Sequence, residues 1–373
     1  MKQCIHLEPI RAREQHGDGV RAPEKRAAAG RIAGLSAVAA AAIAMAGPAS
    51  ATASSADYAK TRYPIVLVHG VTAAAKIAGV IDYWYGIPKV LRANGATVYV
   101  ATVPSFNSDE ERALALQSYV RAVKLETGAD KVNLIGHSQG GTTVRVAAAM
   151  SPQDIASVTT IGSPNRGSEF FDVIDSLISG VGSVPVAGPV LVGIVQGVAN
   201  ALGWMNGVVN GQMWDQNSPA ALQVLTTQGA AAQNVRLDAT LAPGSRSALG
   251  PDCNTPGAAV EQRQARDATG KLVTHTQAAY SWTGHGGPVN VFRSNLFDLS
   301  TLPLSAFADI MTLKGSGPND GMVSVCSSKW GRELGSYYWN HLDQINQLFG
   351  MYQDADPRTV ILNHANRLRN DRL

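Results

Sequence analysis

The chain reads as an α/β protein with a mostly parallel central sheet and helices on both faces. Three observations predict this. Short β-branched apolar runs lack a polar face, helical segments fall between them, and no composition break separates two cores. A strand that is apolar on both sides belongs in a sheet whose crossover helices cover both faces.

Tyr63-Pro64-Ile65-Val66-Leu67-Val68, closed by His69-Gly70, is the first such strand, and Ala96–Val100 the second. Residues 109–127 open with Asp109-Glu110-Glu111 and place Leu114, Leu116, Val120 and Val123 at helical spacing; acidic residues in a first turn suit the helix dipole. Lys131–Gly136 is the third strand, Thr142–Met150 an Ala-rich helix and Ser157–Gly162 the fourth strand. Ser218-Pro219 reads as N-cap and first position of a helix. Residues 229–275 are rich in Gly, Ala and Gln with little periodicity and are expected to be loop-dominated. Asp356-Pro357 begins a last helix through Val360, Ile361 and Leu368. The length of 373 residues admits two domains, but no linker divides the chain, so residues 56–373 are read as one domain with insertions.

Residues 1–55 are read as a leader outside the fold. Basic residues up to Arg31 precede an uncharged, Ala-rich run that ends in Gly47-Pro48-Ala49-Ser50-Ala51-Thr52-Ala53, the layout of a signal peptide cleaved between about 51 and 56. Its strongly apolar part, about 14 residues, is shorter than the roughly 20 needed to span a bilayer. The leader holds seven basic and four acidic residues and so carries the whole formal charge of +3; the other 24 basic and 24 acidic residues balance. The charge therefore gives no reason to expect a nucleic-acid partner, and 45% hydrophobic against 16% charged residues excludes a disordered chain. Cys4 leaves with the leader. Cys253 and Cys326 remain as an even pair in an oxidising compartment and are expected to form a disulfide. Closing a loop of about 73 residues is worth roughly 4–5 kcal/mol in the chain-entropy picture.

Residues 176–214 contain no charged side chain. A membrane span is disfavoured by the Gly and Pro residues within; a buried helix, or an amphipathic cover over an apolar pocket, remain as readings.

Gly136-His137-Ser138-Gln139-Gly140 is G-x-S-x-G between an apolar strand and an Ala-rich helix, the setting in which this pattern marks a nucleophilic serine on a sharp turn. Glycines let strand and helix close around it, and the helix N-terminus favours a developing oxyanion. Such a serine needs a base and an orienting acid. His275, His285, His341 and His364 follow it; His341, in a loop before the apolar helical pattern Ile345, Leu348, Phe349, is the best placed. Asp320 in Asn319-Asp320-Gly321 is the leading acid, with Asp298 and Asp309 as rivals by chain order. The oxyanion hole is expected from the backbone N–H of Gln139 and one from the loop His69-Gly70-Val71, where His69 itself fixes the loop.

Beyond these residues the chain resembles the foldase-dependent bacterial true lipases of the Burkholderia–Pseudomonas type. The resemblance rests on Tyr63–Gly70, Val132–Gly141, Ser157–Gly162, Arg166-Gly167-Ser168-Glu169-Phe170, Asn319-Asp320-Gly321, Trp339–Leu348 and His364–Leu368, in family order along the mature chain. It implies an α/β-hydrolase fold with a helical lid at about 172–215, and a secreted triacylglycerol lipase acting at lipid–water interfaces. It implies the triad Ser138, Asp320 and His341, oxyanion N–H donors on Val71 and Gln139, and a Cys253–Cys326 disulfide. It also implies one structural Ca²⁺ held by the carboxylates of Asp298 and Asp343 and the carbonyls of Gln347 and Met351, all hard oxygen donors. Asp343 equally suits a helix N-cap. A periplasmic foldase, export through the periplasm to the extracellular medium and a monomeric state are further implications. The chain departs from the family pattern at Val71 (commonly Leu), Ala73 (commonly Gly) and Asn165 (commonly His), and is shorter after Phe106. An esterase or polyester depolymerase and a non-catalytic secreted binding protein are the competing function classes.

Overall fold

Strand β1 (Ile65–Val68) is wholly buried, and its alternation divides the molecule. Val66 and Val68 join one core, Ile65 and Leu67 the other, so one unbroken apolar run serves both faces of the sheet. In this computed structural model, residues 56–71, 76–77, 81–182, 214–287, 300–347 and 349–373 are described. The predicted leader (1–55), the middle of the uncharged stretch (183–213), Ala73 and Asp298 lie outside them.

β1 runs parallel to both β4 (Val98–Ala101) and β5 (Val132–His137). β6 (Ile155–Ile161) pairs parallel with β5, and β8 (Leu272–Gly284) parallel with β6. β7 (Val260–Arg266) pairs antiparallel with the first half of β8, and β9 (Arg332–Tyr337) parallel with its end. The order is β4-β1-β5-β6-β8-β7 with β9 also on β8, the mostly parallel sheet that the sequence predicts. A separate two-stranded pair joins β2 (Lys76–Ile77) and β3 (Ile81–Asp82).

Helices α2 (Asp109–Thr127) and α3 (Gln139–Met150) cover the face of Val66 and Val68, contributing Leu116, Val120, Val123 and Val144. Helices α1 (Ile87–Ala93) and α9 (Pro357–Asn370) cover the other with Ile87, Leu91, Ile361 and Ala365. Helix α2 starts where Ser108 Oγ accepts the Glu111 N–H and stops at Gly128, whose φ of 69° few other residues adopt. Five further helical segments are α4 (Glu169–Gly182), α5 (Ser218–Leu225), α6 (Thr227–Asp238), α7 (Thr301–Leu313) and α8 (Val325–Ser328). Among the described residues no helix is long and apolar enough to cross a membrane.

Three expectations need correction. Residues 229–275 are loop over 239–259 and 267–271, as expected for the larger part, but they also hold most of α6, all of β7 and the start of β8. The buried face of β7 carries Glu261 and Arg263, whose ion pair at 2.7 Å replaces the apolar residues that betray a strand. Glu261 also accepts the Ala248 N–H, and Arg263 donates to the Leu237 carbonyl, so both buried charges have further partners besides each other. The cap of α5 is Asn217, whose side chain accepts the Ala220 N–H; Ser218 is already inside the helix. After His341 there is one 3-10 turn, Asp343–Ile345, rather than a helix, because Asn346 and Phe349 turn left-handed at φ 64° and 58°. The Cys253–Cys326 disulfide is present and ties the segment before β7 to α8.

Candidate active site

Ser138 links β5 to α3 with φ 57° and ψ −132°, a strained conformation for a residue with a side chain. The surrounding glycines make the turn possible. A Cβ on Gly136 would lie 2.2 Å from the Gly140 carbonyl oxygen, one on Gly140 2.3 Å from that of Val68, and one on Gly141 1.8 Å from Ser163 Oγ. The Ser138 N–H is anchored on the Ile161 carbonyl at 2.9 Å.

Gln139 heads α3, so its N–H belongs to a first turn that has no intrahelical acceptor. The loop after β1 lies against the serine: a Cβ on Gly70 would be 3.2 Å from Ser138 Oγ. Val71 follows in this loop and is half-buried. His69 fixes the loop as expected: its Nδ1–H donates to the Gly70 carbonyl at 2.8 Å and its Nε2 accepts the Val103 N–H at 3.1 Å. Burial, then the Arg112 charge, pushes its pKa down to about 3, so the ring stays neutral. Arg112, itself buried, donates to the carbonyls of His69 (2.6 Å) and Pro104 and to Thr143 Oγ1 (2.9 Å).

Asp320 is fully buried and accepts four hydrogen bonds. Its Oδ1 takes the N–H groups of Met322 (2.9 Å) and Val323 (2.7 Å). Its Oδ2 takes His341 Nδ1–H (2.8 Å) and Gln344 Nε2–H (2.6 Å). The His341 N–H also donates to the Asp320 carbonyl at 2.8 Å, so acid and histidine are tied through both backbone and side chain. His341 is brought beside the chain neighbour of Ser138: its ring centroid is 4.6 Å from that of His137. The rival acid Asp309 is exposed on α7. His364 packs in α9 against Tyr280 and Trp282 with Nε2 on Thr159 Oγ1 at 2.8 Å, and His285 Nδ1 meets Ser336 Oγ. Ser138 and His341 are each less than 5% exposed, which strengthens electrostatics inside the site.

Asp343 is buried and its Oδ2 accepts the Asn340 N–H at 2.9 Å. Gln347 is buried too, and Met351 half-buried. Gln347 Nε2 donates to the Asp82 carbonyl, while its Oε1 is buried without a hydrogen-bond partner among the described residues. The oxygens of Asp343, Gln347 and Met351 thus lie on one tightly wound loop, chemistry that fits a hard cation. Among the described residues no cluster of three His, Cys, Asp or Glu could hold a metal.

Sequence reasoning missed Gln344, Arg112 and Tyr83. Gln344 stands three residues after His341, but a glutamine in a loop carries no motif. Asn165, which it did single out, is a non-titrating brace: it accepts from Arg145 and donates to Thr160 Oγ1 and the Ser328 carbonyl.

A family model described as alpha/beta hydrolase fold matches residues 63–187. A triacylglycerol lipase of Burkholderia plantarii is 43% identical, covering 86% of this chain and 90% of its own. One from Pseudarthrobacter phenanthrenivorans is 42% identical over 84% and 98%. The solved structure of lipase 1 from Pelosinus fermentans matches with a TM-score of 0.52 at 16% identity, over 83% of this chain and 99% of that one, a likeness of fold. The chain belongs to the bacterial triacylglycerol lipases, serine hydrolases of the α/β-hydrolase fold.

Proposed function

We propose that this lipase hydrolyses triacylglycerol esters at lipid–water interfaces with Ser138 as nucleophile, His341 as general base then acid, and Asp320 as the group that orients it. The observation that carries the assignment is the strained Ser138 turn at the head of α3, on a sheet whose far loops bring a four-fold hydrogen-bonded Asp320 to His341. Ser138 Oγ attacks the ester carbonyl as its proton passes to His341 Nε2. The tetrahedral oxyanion takes the N–H groups of Val71 and Gln139. The imidazolium gives its proton to the leaving glyceride oxygen, leaving an acyl-serine. Water then repeats the sequence: its proton goes to His341, its oxygen to the acyl carbon, and the serine leaves reprotonated.

A Ca²⁺ ion on Asp298, Asp343 and the carbonyls of Gln347 and Met351 would supply charge compensation at the loop that carries His341; it has no part in proton transfer. Cleavage of residues 1–55, passage through the periplasm with a dedicated foldase, release to the medium as a monomer and a lid over about 172–215 complete the reading. Ser138→Ala tests it: turnover of an emulsified triglyceride is expected to fall below about a thousandth of wild type. Higher residual turnover by folded protein overturns the assignment.

A further inference from the structure

We propose that Tyr83 and His137 form a hydrogen-bonded relay that holds the oxyanion loop and the His341 loop in register with the nucleophile, as positioning residues for the reaction proposed above. The relay is built from buried groups. The Gly70 N–H donates to Tyr83 Oη at 3.0 Å, Tyr83 Oη is 2.7 Å from His137 Nδ1, and His137 Nε2 is 3.0 Å from the His341 carbonyl oxygen.

The direction of each bond is forced. A carbonyl oxygen only accepts, so His137 Nε2 carries a hydrogen. In a neutral ring Nδ1 is then an acceptor, so the Tyr83 hydroxyl donates to it. The hydroxyl has one hydrogen, so its remaining role toward Gly70 is to accept. His137 is neutral here because burial, reinforced by the nearby His341, pushes it well below the usual histidine range.

The three attachment points are informative. Gly70 directly precedes Val71, and His137 directly precedes Ser138. His341 supplies the carbonyl itself. One tyrosine and one histidine therefore join the loops after β1, β5 and β9, which are otherwise far apart in the chain. The segment carrying Tyr83 is clasped in turn by the residues after His341: Gln347 Nε2 donates to the Asp82 carbonyl at 2.6 Å, and Asn346 Nδ2 to that of Tyr85 at 2.8 Å. Oxyanion donors and a base must be held within a few tenths of an ångström to be effective, and loops alone hold such tolerances poorly. Tyr83 also packs edge-on against Trp84 and His69, so its ring has a structural share; the hydroxyl is the part that carries the relay.

Tyr83→Phe keeps the ring and removes the hydroxyl, leaving the Gly70 N–H and His137 Nδ1 without that partner. The probe is p-nitrophenyl butyrate below its solubility limit, with active sites counted by phosphorylation with diethyl p-nitrophenyl phosphate, which releases one p-nitrophenolate per labelled serine. The relay predicts that kcat per active site falls roughly ten- to a hundredfold while KM changes less than about twofold. A kcat per active site within about twofold of wild type, whatever the thermal stability, overturns it, as does a loss confined to KM. Where Tyr83→Phe folds poorly, His137→Gln keeps a donor for the His341 carbonyl and severs the tyrosine link; the same fall is expected, and an unchanged kcat overturns the relay. Ser138→Ala is run beside them. If it is inactive while both relay variants turn over normally, only the relay fails; if it stays active, the reading of the nucleophile fails.

Discussion

Replacing Asp320 by Asn probes the orienting acid without changing its shape. The consequence follows from the four hydrogen bonds it accepts. Oδ1 faces two backbone N–H groups, of Met322 and Val323, so the Asn oxygen must stay on that side. Its NH2 group then replaces Oδ2 and faces His341 Nδ1 and Gln344 Nε2, both donors in the native protein. The Gln344 amide can turn and offer Oε1, which has no hydrogen-bond partner among the described residues, so folding suffers little. His341 has no such freedom at its ring: Nδ1 must become the acceptor, which moves the proton to Nε2, the atom that has to take the serine proton. Loss of the correct tautomer costs about 10⁴ in kcat, about 5.4 kcal/mol of transition-state stabilisation. A pH-stat assay on emulsified triglyceride, paired with a melting curve, measures both consequences. The expected outcome is a kcat near a ten-thousandth of wild type with Tm within about 5 °C. Folded Asp320→Asn protein that keeps more than about 1% of wild-type kcat would refute the assignment of Asp320.

Other predictions concern stability. Gly140→Ala puts a methyl group 2.3 Å from the Val68 carbonyl oxygen and 2.6 Å from that of His69, backbone atoms of a central strand and its loop. It should cost more than about 2 kcal/mol, and an unchanged urea midpoint would contradict the packing. His364 is buried beside Thr159, Tyr280, Trp282 and Arg367, and burial followed by the Arg367 charge lowers its pKa from 6.5 to about 3. The folded state thus binds this proton less readily than the unfolded one, so its contribution is complete above pH 6.5 and declines as pH falls toward 3. Relative to a His364→Gln variant, the wild type should lose about 1.4 kcal/mol between neutrality and pH 5.5; parallel pH–stability curves would exclude this. A chelator should lower Tm by roughly 5–10 °C if Ca²⁺ is bound near 100 times its Kd, and Asp343→Asn should abolish the response; equal Tm with and without chelator counts against the ion.

The sheet's centre was legible because β1, β5 and β6 are buried on both faces, so apolar and β-branched residues dominate them even where β5 and β6 bury Asn133, His137, Ser157, Thr159 and Thr160. Their order along the chain, with a helix between, leaves few topologies. The edge was not legible. β7 turns Glu261 and Arg263 inward, so its pattern is inverted, and the first half of β8 alternates without a strong apolar stripe. The helix expected after His341 failed for a local reason: Asn346 and Phe349 adopt left-handed backbone that no periodicity announces.

The sequence by itself singled out Ser138 as the proposed nucleophile, because a sharp strand-to-helix turn needs small residues at fixed offsets, and Gly136, Gly140 and Gly141 stand at those offsets. It also pointed to the cysteine pair, since only Cys253 and Cys326 lie beyond the predicted leader. It narrowed the acid to three aspartates by chain order, and family resemblance chose among them. Only the tertiary structure decided how the charged and polar groups are partnered: Gln344 on Asp320, Arg112 on the His69 carbonyl, Tyr83 between Gly70 and His137. These bonds join residues up to tens of positions apart across separate loops. A buried polar group takes whichever partner the packing brings within reach, and that distance exists only once the chain has folded.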